Sequence, residues 1–214
     1  ANYLQTYINR DVASLTNVQD TRRFQNFIRL CAARNGQLLN MSKLANECGI
    51  SQPTATSWLS ILESSYLVFL LSPYYENFSK RVVKTPKLYF YDTGLAAFLL
   101  GLRSADDFTD RTLLGSLFEA MVIGDILKQN HHRYLLKEYW FWRDPAGHEI
   151  DLLTLSGGGF DIFEVKSTRT VLPKLFKGLD YFEKLAGDKV QSKTLVYSGE
   201  EGQQRTEYKG RGWR

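Results

Sequence analysis

Apolar residues recur at helical spacing in three stretches of the first third of the chain: Phe24 to Arg34, Met41 to Cys48 and Gln52 to Glu63. Gly49-Ile50-Ser51 predicts a tight turn between the last two. Ser51 is a good N-cap, and Pro53 sits early enough in the third helix to cost no hydrogen bond. Tyr66 to Leu71 and Leu88 to Tyr91 read as strands. Helical periodicity returns from Thr112 to Gln129, and Glu138 to Arg143 reads as a strand. His148 to Ser167 reads as two apolar strands, HEIDLLTL and FDIFEVKS, joined by a Gly-rich turn at Gly157 to Gly159. Leu172 to Leu185 predicts a further helix and Lys193 to Tyr197 a closing strand, while Lys209 to Arg214 reads as a frayed end.

The hairpin carries the chemistry. Side chains alternate faces along a strand, so Glu149, Asp151, Leu153 and Leu155 share one face, and Phe160, Ile162, Glu164 and Lys166 share another. A four-residue loop pairs Leu155 with Phe160, which sets Asp151 opposite Glu164 and Glu149 opposite Lys166. Directly opposed Cβ atoms lie roughly 4.5–5.5 Å apart, close enough for two carboxylates to share one divalent cation. Without a cation such a pair in apolar strands is costly to ionise. The alternatives are a solvated sheet edge and, for Lys166, a plain salt bridge to Glu149.

Asp151 followed by Glu164-Val165-Lys166 resembles the D…(D/E)xK signature of the PD-(D/E)xK nuclease superfamily. The order helix, three strands, helix, strand from Thr112 to Tyr197 is similar to the core of that fold. The resemblance implies a metal site of Asp151 and Glu164, joined by Glu119 from the first helix, with Lys166 as the fourth catalytic residue. Such carboxylates suit Mg²⁺ or Mn²⁺. The ion would polarise a phosphodiester, and Lys166 would orient the attacking water or stabilise the developing charge. Glu149 duplicates a carboxylate and departs from the strict pattern.

Upstream, LANECGISQPTATSWLSILESSYLV resembles a winged helix-turn-helix. Gln52, Thr54 and Ser57 lie on the helix that would enter a major groove, and Lys80, Arg81, Lys84 and Lys87 lie in or beside the wing. That helix offers no Lys or Arg, so sequence readout is poor, whereas the wing cations suit phosphates. Phosphate contact and pure scaffolding both remain open. YLQTYINRDV at Tyr3 to Val12, KLYFYDTGLAAFLL at Lys87 to Leu100, and the later FE, EID and EVKS segments together resemble one arrangement. It is the C-terminal DUF4143 region of AAA-type ATP-binding proteins. The resemblance implies an N-terminal ATPase domain as partner. No GxxxxGK[ST] occurs here, and the chain starts at Ala1, as a C-terminal fragment would.

The resulting expectation is an α/β chain in which residues 1–20 form a helical connector and 21–92 a winged helix-turn-helix. Residues 93–214 would form a restriction-endonuclease-like domain, a mixed central sheet flanked by helices. The expected activity is metal-dependent DNA cleavage; the alternative is a non-catalytic nuclease-fold scaffold or regulatory module binding DNA or protein. A homodimer is open, since nuclease folds of this type often pair. A net charge of +4, spread over both halves, leans toward acidic partners without demanding nucleic acid. Two cysteines, Cys31 and Cys48, within apolar stretches suit buried thiols in a reducing cytoplasm. No run is long enough for a membrane span. His131, His132 and His148 lack zinc-type spacing and read as exposed residues at helix ends.

Overall fold

The computed structural model describes residues 20–75, 83–199, 203–205 and 208–213. The expected connector at 1–20 therefore lies almost wholly outside the described residues. The chain divides into two compact units, one holding residues up to Leu70 together with Pro86–Asp110, the other Leu71–Thr85 with Arg111–Arg214.

In the first unit, α1 (Thr21–Ala32), β1 (Gln37–Leu38), α2 (Met41–Cys48), α3 (Gln52–Ser64), β2 (Val68–Leu71), β3 (Lys87–Phe90) and α4 (Thr93–Leu99) follow in order. The three strands form one sheet in the order β1-β3-β2. The α2–α3 turn follows from sequence: Gly49 takes the left-handed conformation at φ 68°, and the Ser51 hydroxyl accepts from the Thr54 amide at 3.2 Å. Trp58 of α3 meets Phe24 and Phe27 of α1 edge-on, with centroids 5.2 and 5.6 Å apart. Leu44, Leu62, Leu88 and Phe90 are among the fully buried side chains of this unit. Asn35, buried beside them, accepts the Phe90 amide at 2.9 Å through its side chain. Helix α4 packs on α1 and β3, so residues 93–110 lie with the helix-turn-helix rather than beyond the expected boundary at 92.

The second unit runs α5 (Arg111–His132), β4 (Tyr139–Arg143), β5 (Glu149–Ser156), β6 (Gly159–Lys166), α6 (Lys177–Ala186), β7 (Val190–Tyr197), β8 (Gln203–Arg205) and β9 (Tyr208–Gly212). Among the described residues its sheet is mixed, in the order β4-β5-β6-β7-β9-β8. Strands β4 to β6 are antiparallel neighbours, β7 runs parallel to β6, and β9 parallel to β7. Leu155 pairs with Phe160, the expected register, but Ser156 also pairs with Gly159. The loop shrinks to Gly157-Gly158, both at positive φ, which glycine adopts without strain. The tail is not frayed: residues 208–212 form β9 between β7 and β8.

Two apolar clusters sandwich this sheet. Ile162, Leu153, Phe160 and Leu195 meet Leu179 and Phe182 of α6. Val165 and Val196, of opposite parity, meet Val122, Phe118 and Ile126 of α5. The expected wing strands lie in the first unit, but the stretch between them, Leu71–Thr85, belongs to this one. Residues Ser72–Tyr74 run along β4, with the Tyr74 amide donating to the Phe141 carbonyl at 2.7 Å and the Phe141 amide to the Ser72 carbonyl at 3.1 Å. Tyr74 then packs its ring on Trp140 and Phe160.

Candidate metal centre

Antiparallel pairing brings the start of β5 and the end of β6 to the same end of the sheet, and α5 and α6 flank that end from opposite faces. There Glu119 of α5 and Glu149 and Asp151 of β5 each present a carboxylate oxygen, all within 4.8 Å of one another. Asp151 is buried, and its Oδ2 accepts the Val165 amide at 2.8 Å. Lys166 Nζ lies 3.5 Å from the same oxygen and 2.5 Å from Glu164 Oε1. Glu149 accepts from the Arg143 guanidinium at 3.1 Å, its neighbour across β4 and β5.

Glu164 is nine-tenths buried, and its Oε2 has no hydrogen-bond partner among the described residues. Burial first, then repulsion from Asp151, pushes its carboxyl up to about 8, against the opposing pull of Lys166. Burial alone would lower the Lys166 ammonium, but Asp151 and Glu164 hold it above the usual lysine range. The first turn of α6 closes over this corner. A Cβ on Gly178 would stand 2.9 Å from the Glu149 carbonyl oxygen and 3.3 Å from Glu164 Oε2. Only glycine lets the helix start, with its partial positive charge, approach so closely.

Three crowded carboxylates and an orphaned buried carboxylate oxygen fit a hard divalent cation. The set differs in detail from the expected one. Glu119 and Asp151 come together as expected, whereas the third close oxygen belongs to Glu149, and Glu164 engages Lys166 through one oxygen. Lys166 thus bridges Glu164 and Asp151, and Glu149 takes Arg143 instead of Lys166. The signal that could have found Glu149 was its i, i+2 spacing from Asp151; Gly178 had no local signal.

Next to the site, the β4–β5 turn is organised by Asp144. Its side chain accepts the His148 amide at 2.9 Å, meets His148 Nδ1 at 2.8 Å and accepts from the Tyr181 hydroxyl at 3.2 Å. His148 stacks on Tyr181 in this turn, so it is not a helix-end residue; His131 and His132 do end α5.

Among the described residues, the expected nucleic-acid contacts are not gathered into one basic surface. Gln52 and Ser57 are exposed on α3, but Gln52 accepts from the Ser42 hydroxyl at 2.9 Å, and the Thr54 hydroxyl lies 2.7 Å from that of the cap Ser51. Lys87 is 3% exposed in β3, with its ammonium over the Tyr89 ring, so the sequence expectation of a phosphate contact is corrected. Its place in β3 turns it inward. Lys84 is exposed but belongs to the second unit, where its carbonyl accepts from the Tyr75 hydroxyl. Lys80 and Arg81 lie outside the described residues.

No helix among the described residues is long and apolar enough to cross a membrane. Two uncharacterized proteins, Rv2008c of Mycobacterium tuberculosis and Mb2031c of Mycobacterium bovis, are each 31% identical over 169 residues, 78% of this chain. The chain spans 37% of the length of these curated relatives. Among solved structures, MepR, a transcription regulator of the Staphylococcus aureus multidrug efflux pump MepA, aligns over 63% of this chain and 92% of its own. Its TM-score of 0.29 and identity of 16% carry no inference. Residues 1–106 match the family model of a domain of unknown function, DUF8612, and residues 114–211 match that of a second, DUF4143.

Proposed function

We propose that the second unit is a divalent-cation-dependent DNA phosphodiesterase of the PD-(D/E)xK type. One observation carries the reading: Lys166 stands 3.5 Å from Asp151, whose carboxylate crowds those of Glu119 and Glu149 at one sheet end. Mg²⁺ or Mn²⁺ held by Glu119, Glu149 and Asp151, with Glu164 beside them, would supply Lewis-acid polarisation of the phosphodiester and a water of lowered pKa. The chain supplies the rest. The Val165 amide fixes Asp151, Arg143 fixes Glu149, and Lys166 orients the attacking water and offsets charge growing on the phosphate. In the longer proteins of this type an ATPase segment would control the reaction. A homodimer fits the same reading.

The test is calorimetric titration of Mg²⁺ and Mn²⁺ into wild type, Asp151→Ala and Lys166→Met, with plasmid nicking on the same samples. Binding and nicking both vanish in Asp151→Ala, while Lys166→Met keeps binding and loses nicking. Wild type that neither binds nor nicks overturns the proposal. A second reading, a non-catalytic scaffold or regulatory module, is favoured by the cation-free exposed face of α3 and the buried Lys87. Binding of partners without any nicking, with or without metal, would select it.

A further inference from the structure

The loop leaving α5 presents three consecutive apolar side chains to solvent: Tyr134 is 85% exposed, Leu135 50% and Leu136 86%. Its backbone is built rather than slack. Tyr134 and Leu136 sit at φ 51° and 52°, a left-handed conformation unfavourable to any residue with a Cβ. The buried Asn130 side chain clamps the loop base, accepting the Lys137 amide at 3.1 Å and donating to the Lys137 carbonyl at 2.8 Å. Two large apolar residues thus stand exposed on a backbone held in a conformation unfavourable to them.

Charge indicates the occupant. From Lys128 to Lys137 the sequence KQNHHRYLLK holds three Lys or Arg and two His and no acid. Arg133 and Lys137 flank the apolar tip, are exposed, and have no side-chain hydrogen bond or ion pair among the described residues. Apolar side chains between two exposed cations match a base step between two phosphates.

We infer that the Tyr134–Leu136 tip is a wedge that opens a base step of DNA while Arg133 and Lys137 hold the flanking phosphates. The inference rests on the nuclease reading and names its substrate class: duplexes already weakened at a branch or frayed end, where unstacking costs least. The end of α5 at His132 lies 13 residues beyond Glu119. At 1.5 Å per residue that is about 20 Å, the length of about six base pairs of duplex.

The test uses the whole chain in Ca²⁺, which supports binding of an uncut substrate, and a branched duplex carrying 2-aminopurine at the branch. Wild type raises the 2-aminopurine emission. The double variant Tyr134→Gly, Leu136→Gly does not, and binds the duplex about tenfold or more weakly. Its melting temperature is unchanged or raised, because glycine relieves the left-handed strain, so lost function cannot be lost folding. The variant Arg133→Gln, Lys137→Gln lowers the slope of log affinity against log salt by about 2. Emission and affinity in the glycine variant equal to wild type overturn the wedge. So does a loss confined to binding of anionic lipid vesicles or to self-association, with DNA binding intact. If the glycine variant still nicks plasmid like wild type and emission is unaltered, only the wedge falls. If wild type neither binds DNA nor nicks it, the nuclease reading falls as well.

Discussion

Asp151→Asn should stabilise the protein when no divalent cation is present. Asp151 shares a 4.8 Å cluster with Glu119 and Glu149. At an effective dielectric of about 20, each such pair of like charges costs about 3.5 kcal/mol, so Asp151 meets about 7 kcal/mol of repulsion. Lys166, 3.5 Å away, returns about 5 kcal/mol on the same footing, less for being 38% exposed. Glu164, whose carboxyl burial and Asp151 push up, is paired through Oε1 with Lys166, which offsets its repulsion of Asp151. The amide keeps the hydrogen bond from Val165 but loses its charge assistance, about 1 kcal/mol. The balance favours Asn by about 1–2 kcal/mol, a rise of roughly 3–6 °C in melting temperature for a chain of this size. Thermal unfolding followed by circular dichroism, in EDTA and then in Mg²⁺, reads the effect. Mg²⁺ at a hundred times its Kd should raise wild type by about 2.7 kcal/mol and leave the variant unmoved. A variant less stable than wild type in EDTA would refute the reasoning, for it would mean that the carboxylates are already satisfied within the protein.

Gly178→Ala should cost about 1–3 kcal/mol in urea denaturation, because its Cβ would meet the Glu149 carbonyl oxygen at 2.9 Å and backbone cannot yield. Trp58→Ala should cost about 3–5 kcal/mol and unfold the first unit before the second, visible as a split transition, since Phe24 and Phe27 lose their shared partner. Burial would raise the Asp144 carboxyl, but hydrogen bonds from His148 and Tyr181 outweigh it and hold the group below its ordinary range. Its stabilisation is therefore full above about pH 4 and lost as pH falls through the lowered folded value. The deficit of Asp144→Asn, about 1–2 kcal/mol at pH 7, should shrink on acidification; a deficit constant to pH 2 would contradict this.

The local features of the fold were legible because local chemistry dictates them. Ser51 and Gly49 bracket α3 and α2 by capping, and the Gly157-Gly158 turn fixes the β5–β6 register and hence the meeting of Asp151 with Val165. Features set by sequence-distant partners were not. Lys87 reads as a wing cation until β3 turns it inward over Tyr89. Glu149 looks redundant until the β4 pairing gives it Arg143 and α5 brings Glu119 beside it. Lys209 to Gly212 carries no apolar run, and it becomes a strand because β7 offers it an open edge.

The path of residues 71–85 has a practical consequence. The chain enters the second unit at Leu71, leaves it at Pro86 and re-enters after Asp110, so three peptide crossings join the units. No single cut separates them. A fragment starting at residue 93 or 111 would strip Ser72, Tyr74 and Val83 from β4, baring the Phe141 amide and carbonyl and the Arg143 carbonyl. It would also remove the Tyr74 ring from Trp140 and Phe160. Such a bare edge recruits another strand, and the nearest supply is a second fragment. A dimer of the excised domain would then report the excision rather than the protein, and a peptide spanning residues 71–85, added in trans, would dissolve it.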